Sequence, residues 1–70
     1  MALVRVKVKV FGREEKVLEV PQGSRVLDLL EVLSLNPVEV VAVKNGEVVT
    51  EDEEVNDGDE IELYSVVSGG

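Results

Sequence analysis

Within residues 3–11, LVRVKVKVF, apolar and polar positions alternate with a period of two from Val4 to Val10. Val4, Val6, Val8 and Val10 fall on one side of an extended chain, with Arg5, Lys7 and Lys9 on the other. β-Branched alternation of this kind predicts a strand with one buried face. Gly12 marks a turn, and KVLEVP, residues 16–21, returns with Leu18 and Val20 toward the core, so the two strands form a hairpin. Pro21 has no N–H to give a ladder and is expected to end the second strand. The period then changes. In GSRVLDLLEVLSL, residues 23–35, Val26, Leu29, Leu30 and Leu33 follow i, i+3, i+4 and i+7 and make one apolar helical stripe. Ser24 is expected to cap it, its hydroxyl accepting from an unsatisfied first-turn amide. SLNP closes it, because the residue before Pro37 is pushed out of helical geometry.

In VEVVAVKNGEVV, residues 38–49, Asn45-Gly46 stands between apolar runs, the strongest short hairpin signal in the chain. A two-residue turn pairs Lys44 with Glu47, Val43 with Val48 and Ala42 with Val49. Residues 57–59, DGD, predict another turn, and EIELYSVV, residues 60–67, the last strand, with Ile61 and Leu63 inward. The order is strand, strand, helix, strand, short strand, strand. A hairpin with one helix across it and further strands after it defines an α+β fold of the β-grasp (ubiquitin-like) plan. Its mixed sheet of four to five strands packs on one helix, and the last strand runs parallel beside the first. That neighbourhood brings Glu60 and Glu62 near Arg5, Lys7 and Lys9 on the face away from the helix. Such opposed charges contribute about 0.2–1 kcal/mol per pair. Residues 1–66 form this domain, and residues 67–70 are expected to be a flexible tail ending in Gly-Gly.

Periodicity puts Val41, Val43 and Val48 on one side of the second hairpin and Val40, Ala42 and Val49 on the other, without saying which set meets the helix. The set left outside would join Tyr64 and Val66 in an apolar patch for a partner protein. Singly exposed apolar residues are also ordinary on any surface.

Composition narrows the chemistry. At 70 residues the chain is one domain, 44% hydrophobic, with no cysteine and no histidine. It has no disulfide or thiolate metal site to offer, which fits a reducing, cytoplasmic setting. No apolar run approaches the ~20 residues that cross a bilayer, and the alternating N-terminus lacks the apolar stretch of a signal peptide. A net charge of −8 argues against direct nucleic-acid binding. The charges are segregated: Arg5, Lys7, Lys9, Arg13 and Lys16 precede residue 20, whereas residues 45–70 hold nine acidic groups and no basic one. No serine has an imidazole to activate it. Gly46 and Gly58 are isolated turn glycines, not a phosphate loop. Placing Gly58 sixth in a calcium loop puts Val55 third and Tyr64 twelfth, where neither ligates as required, so residues 51–54 read as a solvated acidic loop. Nothing here predicts an enzyme, a metal or a bound cofactor.

Against this background VAVKNGEVV, DGDEIELYSVV and the final SGG carry a resemblance. In this order, and over essentially the whole chain, they are similar to the ubiquitin-like sulfur carriers of the ThiS/MoaD type. That family includes thiamine carriers, the small subunit of molybdopterin synthase, tRNA-thiolation carriers and archaeal small modifiers. The resemblance implies that the Gly70 carboxylate is adenylated, with ATP and Mg²⁺, by an E1-like enzyme. It is then converted to a thiocarboxylate that donates sulfur, for tRNA 2-thiouridine or thiamine biosynthesis. Partners would be the adenylating enzyme, a persulfide-bearing sulfur donor, and a sulfur-accepting synthase or tRNA thiolase; no membrane is involved, and the carrier itself is a monomer. Gly69, Ser68 and Val67 would present the reactive end, glycine allowing close approach to a channel wall, and Tyr64, Val66, Val43 and Val48 would touch the partner. The molybdopterin carriers often show Pro-Pro before the tail, where this chain has Ser65-Val66. Three alternatives stand beside sulfur transfer: conjugation of Gly70 to target lysines, the molybdopterin synthase subunit role, and a β-grasp interaction domain with an inert tail.

Overall fold

The structure, a computed structural model, describes residues 2–66. Its elements are β1 (Leu3–Val10), β2 (Glu14–Pro21), α1 (Val26–Val32), a 3-10 turn (Pro37–Glu39), β3 (Val40–Lys44), β4 (Glu47–Val49) and β5 (Glu60–Ser65). They form one five-stranded sheet in the order β2-β1-β5-β3-β4. β1 and β5 are parallel neighbours, with Lys7 opposite Glu60 and Val10 opposite Leu63, and the other pairs are antiparallel. This is the expected mixed sheet on one helix.

The alternation of β1 survives in the packing: Val4, Val6 and Val8 are buried, and Arg5, Lys7 and Lys9 exposed. Val20 from β2, Val26, Leu29 and Leu30 from α1, Ala42 from β3, and Ile61 and Leu63 from β5 close on them. Each large apolar side chain so buried stabilises by about 1.5–3 kcal/mol before its ordering cost. Val55 joins this core from the acidic loop, a contribution the sequence pattern does not announce, because one valine among carboxylates has no period.

Four expectations are corrected. Phe11 does not extend β1; it enters the turn at φ +52, followed by Gly12 at φ +70. Ser24 is not the cap of α1, which is Arg25. The Ser24 hydroxyl donates to the Pro21 carbonyl at 2.6 Å instead. The first-turn amides have other acceptors: Val26 N–H donates to the Glu53 carbonyl and Leu27 N–H to the Glu51 carbonyl, both at 2.9 Å. Asp28 closes the turn by accepting from Arg25 N–H at 2.8 Å. Residues 51–54 therefore cap the helix and set acidic groups at its positive end, which is favourable. Third, α1 stops at Val32, closed by Ser34 and Leu35 of SLNP and not by the restriction before Pro37. Ser34, at φ +60, turns the chain, and Leu35 N–H reaches the Leu30 carbonyl at 2.8 Å. That is a Schellman closure with serine where glycine is usual.

The fourth concerns charge. Glu60 and Glu62 do lie in register with Lys7 and Lys9. The ion pairs, however, run to β2 or within it: Lys7 to Glu15 at 3.3 Å, Arg5 to Glu19 at 3.5 Å and Lys16 to Glu14 at 3.6 Å. All are exposed pairs of the kind that contributes about 0–1 kcal/mol. Within the described residues β5 spans Glu60–Ser65; Val67, which the expected strand included, lies outside them.

Candidate functional site

The site expected from the sequence has two parts, a reactive tail and an apolar surface. Gly70, Gly69, Ser68 and Val67 lie outside the described residues. The structure does define their root. β5 is held between β1 and β3, with Leu63 opposite Val10 and Ala42, and Ser65 opposite Val40. Beyond the ladder, Val66 N–H donates to the Glu39 carbonyl at 3.0 Å. The 3-10 turn that supplies this carbonyl starts at Pro37, whose missing N–H costs nothing in a first turn. Asn36 caps it, accepting from Val38 N–H at 3.0 Å.

The question of faces resolves in one direction. Ala42 is buried and Val40 and Val49 pack on the core, so this set meets the helix. Val41, Val43 and Val48 are consequently on the outer face, where Val41 is opposite Tyr64 and Val43 opposite Val48. Val48 is 74% exposed, Tyr64 and Val66 are exposed, and Val43 is half-buried. These four do not form one compact spot. β3 runs antiparallel to β5, so Val43 and Val48 stand level with Glu62, whereas Tyr64 and Val66 lie nearer the exit of the chain.

The outer face is chemically mixed. The Tyr64 hydroxyl donates to Glu62 Oε2 at 2.7 Å, which with partial burial and the Glu62 charge raises the phenol above its ordinary range. On the helix side, Lys44 Nζ donates to Glu53 Oε2 at 2.8 Å and to the Glu54 carbonyl at 3.2 Å, and lies 4.0 Å from Asp59 Oδ2. The Glu53 hydrogen bond and the surrounding carboxylates raise the ammonium pKa against the lowering effect of burial. Lys44 is the one cation after Arg25, and it ties the acidic loop to the sheet. The arrangement holds the acidic loop against the sheet.

Sequence reasoning did not single out three features near the exit. They are the left-handed Phe11, the highly exposed Val38, and the Glu39 carbonyl that anchors Val66. Phe11-Gly12 was the available signal for the first, since Phe-Gly at the end of an alternating run marks a turn as readily as a strand. No pattern marks a carbonyl.

A five-stranded β-grasp sheet on one helix, with the last strand central and its end at the surface, defines a ubiquitin-like presenting domain. The sequence profile of the ThiS family matches residues 6–70, and the chain belongs to that family of sulfur carriers. It is 42% identical over 57 residues to the sulfur carrier protein TtuB of Thermus thermophilus, covering 81% of this chain and 88% of that one. An Archaeoglobus fulgidus protein is 38% identical over 68 residues, 96% of this chain and 100% of the other. Among solved structures, a Pyrococcus furiosus protein assigned as molybdopterin converting factor, subunit 1, superposes with a TM-score of 0.75 at 31% identity, over 91% of this chain and 99% of that one. Caldiarchaeum subterraneum ubiquitin, at 21% identity and a TM-score of 0.72 over 99% and 100% of the two chains, shares the fold. The protein is thus a ubiquitin-like sulfur carrier, a non-catalytic member of a sulfur-transfer system. Among the described residues no helix is long and apolar enough to cross a membrane.

Proposed function

We propose that the sulfur travels on the Gly70 carbonyl carbon. A carboxylate is a poor electrophile. Attack of its oxygen on the α-phosphorus of ATP, in an E1-like partner that holds Mg²⁺, expels pyrophosphate and leaves an acyl-adenylate. A partner's persulfide then attacks the carbonyl carbon and AMP departs. A second thiol cleaves the S–S bond, leaving the thiocarboxylate and a disulfide. The thiocarboxylate is the sulfur donor for tRNA 2-thiouridine or thiamine biosynthesis in the cytoplasm, and the accepting synthase or thiolase is the remaining partner. The carrier meets these enzymes and not the RNA, in keeping with its −8 charge. The observation that carries this reading is the family match, which runs through the terminal diglycine.

Incubation with ATP, Mg²⁺, the adenylating enzyme and a persulfide donor is expected to raise the intact mass by the exchange of one oxygen for one sulfur. Deleting Gly70 is expected to abolish the product. Unchanged product from the shortened chain rejects the proposal.

A further inference from the structure

The hydrogen bond from Val66 N–H to the Glu39 carbonyl, at 3.0 Å, is the last described backbone anchor. Under the reading just given, on which the following rests, the reacting carboxylate belongs to Gly70, four residues further along. Four residues of peptide span at most about 13–14 Å however they are arranged. An active site that encloses that carboxylate must therefore bring its entrance within this distance of Val66. The shortness of the stalk decides which part of the domain the partner touches.

The backbone shows what surrounds the anchor. Glu39 ends the 3-10 turn, so Val38 stands immediately beside the bond; at 81% exposure it is the most open of the large apolar side chains described. From the opposite flank comes the β1–β2 turn, whose Phe11 N–H donates to the Leu63 carbonyl at 2.9 Å. β5 runs between β1 and β3, so Val66 continues between these two flanks. Phe11 is held at φ +52, a region that a bulky side chain enters only at a cost. The residue is 41% exposed, so burial in the protein's own core does not offset that cost. Sparsely populated backbone conformations of this kind cluster where chains bind and react.

We infer that Val38 and Phe11, with Val66 between them, form an apolar collar that seats against the mouth of the adenylating enzyme's tail channel. The occupant of the collar is the apolar rim of that channel. Val17 is a built-in contrast. It is also exposed and apolar, but it lies opposite Lys7, which lies opposite Glu60. Six residues of strand separate Glu60 from Val66, about 20 Å, beyond the reach of the stalk.

The test is ATP–pyrophosphate exchange by the E1-like enzyme of the same organism, with the full chain as the varied substrate. Val38→Asp and Phe11→Gly are expected to raise the half-saturating concentration about tenfold with kcat within about twofold, as loss of a central apolar contact does. Val17→Asp, which adds the same charge, is expected to stay within about twofold of the parent. Phe11→Gly suits a left-handed φ, so its melting temperature is expected not to fall, separating lost docking from lost fold. If the parent exchanges and both collar variants match it, the collar is wrong. It is equally wrong if Val17→Asp weakens saturation as much as Val38→Asp. If the parent itself supports no exchange, the adenylation reading fails and the collar goes with it.

Discussion

Asn45 and Asp59, fourteen residues apart, are bonded side chain to side chain, Nδ2 donating to Oδ1 at 3.1 Å. Asn45 Oδ1 also accepts from Glu60 N–H at 3.0 Å, and Asn45 N–H donates to the Glu60 carbonyl at 2.9 Å. Asp59 Oδ2 in turn accepts from Asn56 N–H at 2.7 Å. A residue that the tight turn needs for its φ of +49 therefore also clamps the β3–β4 hairpin to the start of β5. The edge hairpin is fixed at its tip as well as through its ladder.

The two roles of Asn45 are separable. Asn45→Gly keeps a residue at ease with positive φ and deletes the clamp; it is expected to cost about 1–2 kcal/mol, the worth of two net hydrogen bonds. Asn45→Ala adds the left-handed penalty and is expected to cost about 2–3 kcal/mol. Urea unfolding followed by circular dichroism measures both. A glycine variant as stable as the parent would show the clamp to be idle.

Ser34 invites the opposite change. It holds the left-handed position that ends α1, at φ +60, where a Cβ is a burden and glycine is free of it. Ser34→Gly is expected to stabilise by about 0.5–1 kcal/mol, the relief of strain exceeding the added freedom of the unfolded chain. A lowered urea midpoint would contradict this account of the helix end.

Most of the succession of elements was legible in the sequence because each signal was local and redundant. Four alternating valines in β1, Asn-Gly between apolar runs and the 3.6-residue stripe of α1 each specify an element without help from the rest. The Asn45-Gly46 hairpin registers as expected, residue for residue. What was not legible depends on contacts distant in sequence. Ser24 is a good cap in isolation, but the carbonyls of Glu51 and Glu53 reach the helix first. Lys7 had two acidic strands to choose between, and pairing by charge alone does not rank Glu15 over Glu60. The tail's chemistry was readable as a motif, whereas its anchorage by Glu39 is a backbone event that no residue type encodes.

Tyr64 supplies a pH prediction. It is the one tyrosine in the chain, so its ionisation is readable by ultraviolet absorbance without interference. Its hydrogen bond to Glu62 favours the neutral phenol and its pKa lies above 10.0. A raised folded-state value means that the native protein holds the proton more tightly than the unfolded chain does. The associated stability is present below the unfolded pKa and is lost as pH rises through the folded one. The titration midpoint is therefore expected above that of free tyrosine, and Glu62→Gln is expected to lower it. Equal midpoints in the two proteins would mean that the bond does not persist in solution.

Lys44 tests whether the acidic loop is a structural cap. Its ammonium holds Glu53 and the Glu54 carbonyl, and the Glu51 and Glu53 carbonyls satisfy the first amides of α1. Without the cation, residues 51–54 are four adjacent carboxylates that repel one another and draw away from the sheet. Lys44→Met is expected to speed amide exchange at Val26, Leu27 and Val55, whose N–H groups bridge the loop and the helix start. Exchange at Val6 and Val8, deep in the sheet, is expected to keep the parent's rate until global unfolding. The sign with pH follows from the raised ammonium pKa: the tie is intact below the unfolded value of 10.5 and is lost as pH climbs through the folded one. The parent's stability should therefore fall in strongly alkaline solution by more than that of Lys44→Met. Exchange by NMR at the three bridging amides decides the matter. If their rates match in the two proteins, the loop is held by its backbone alone, and the charge on Lys44 serves some other end.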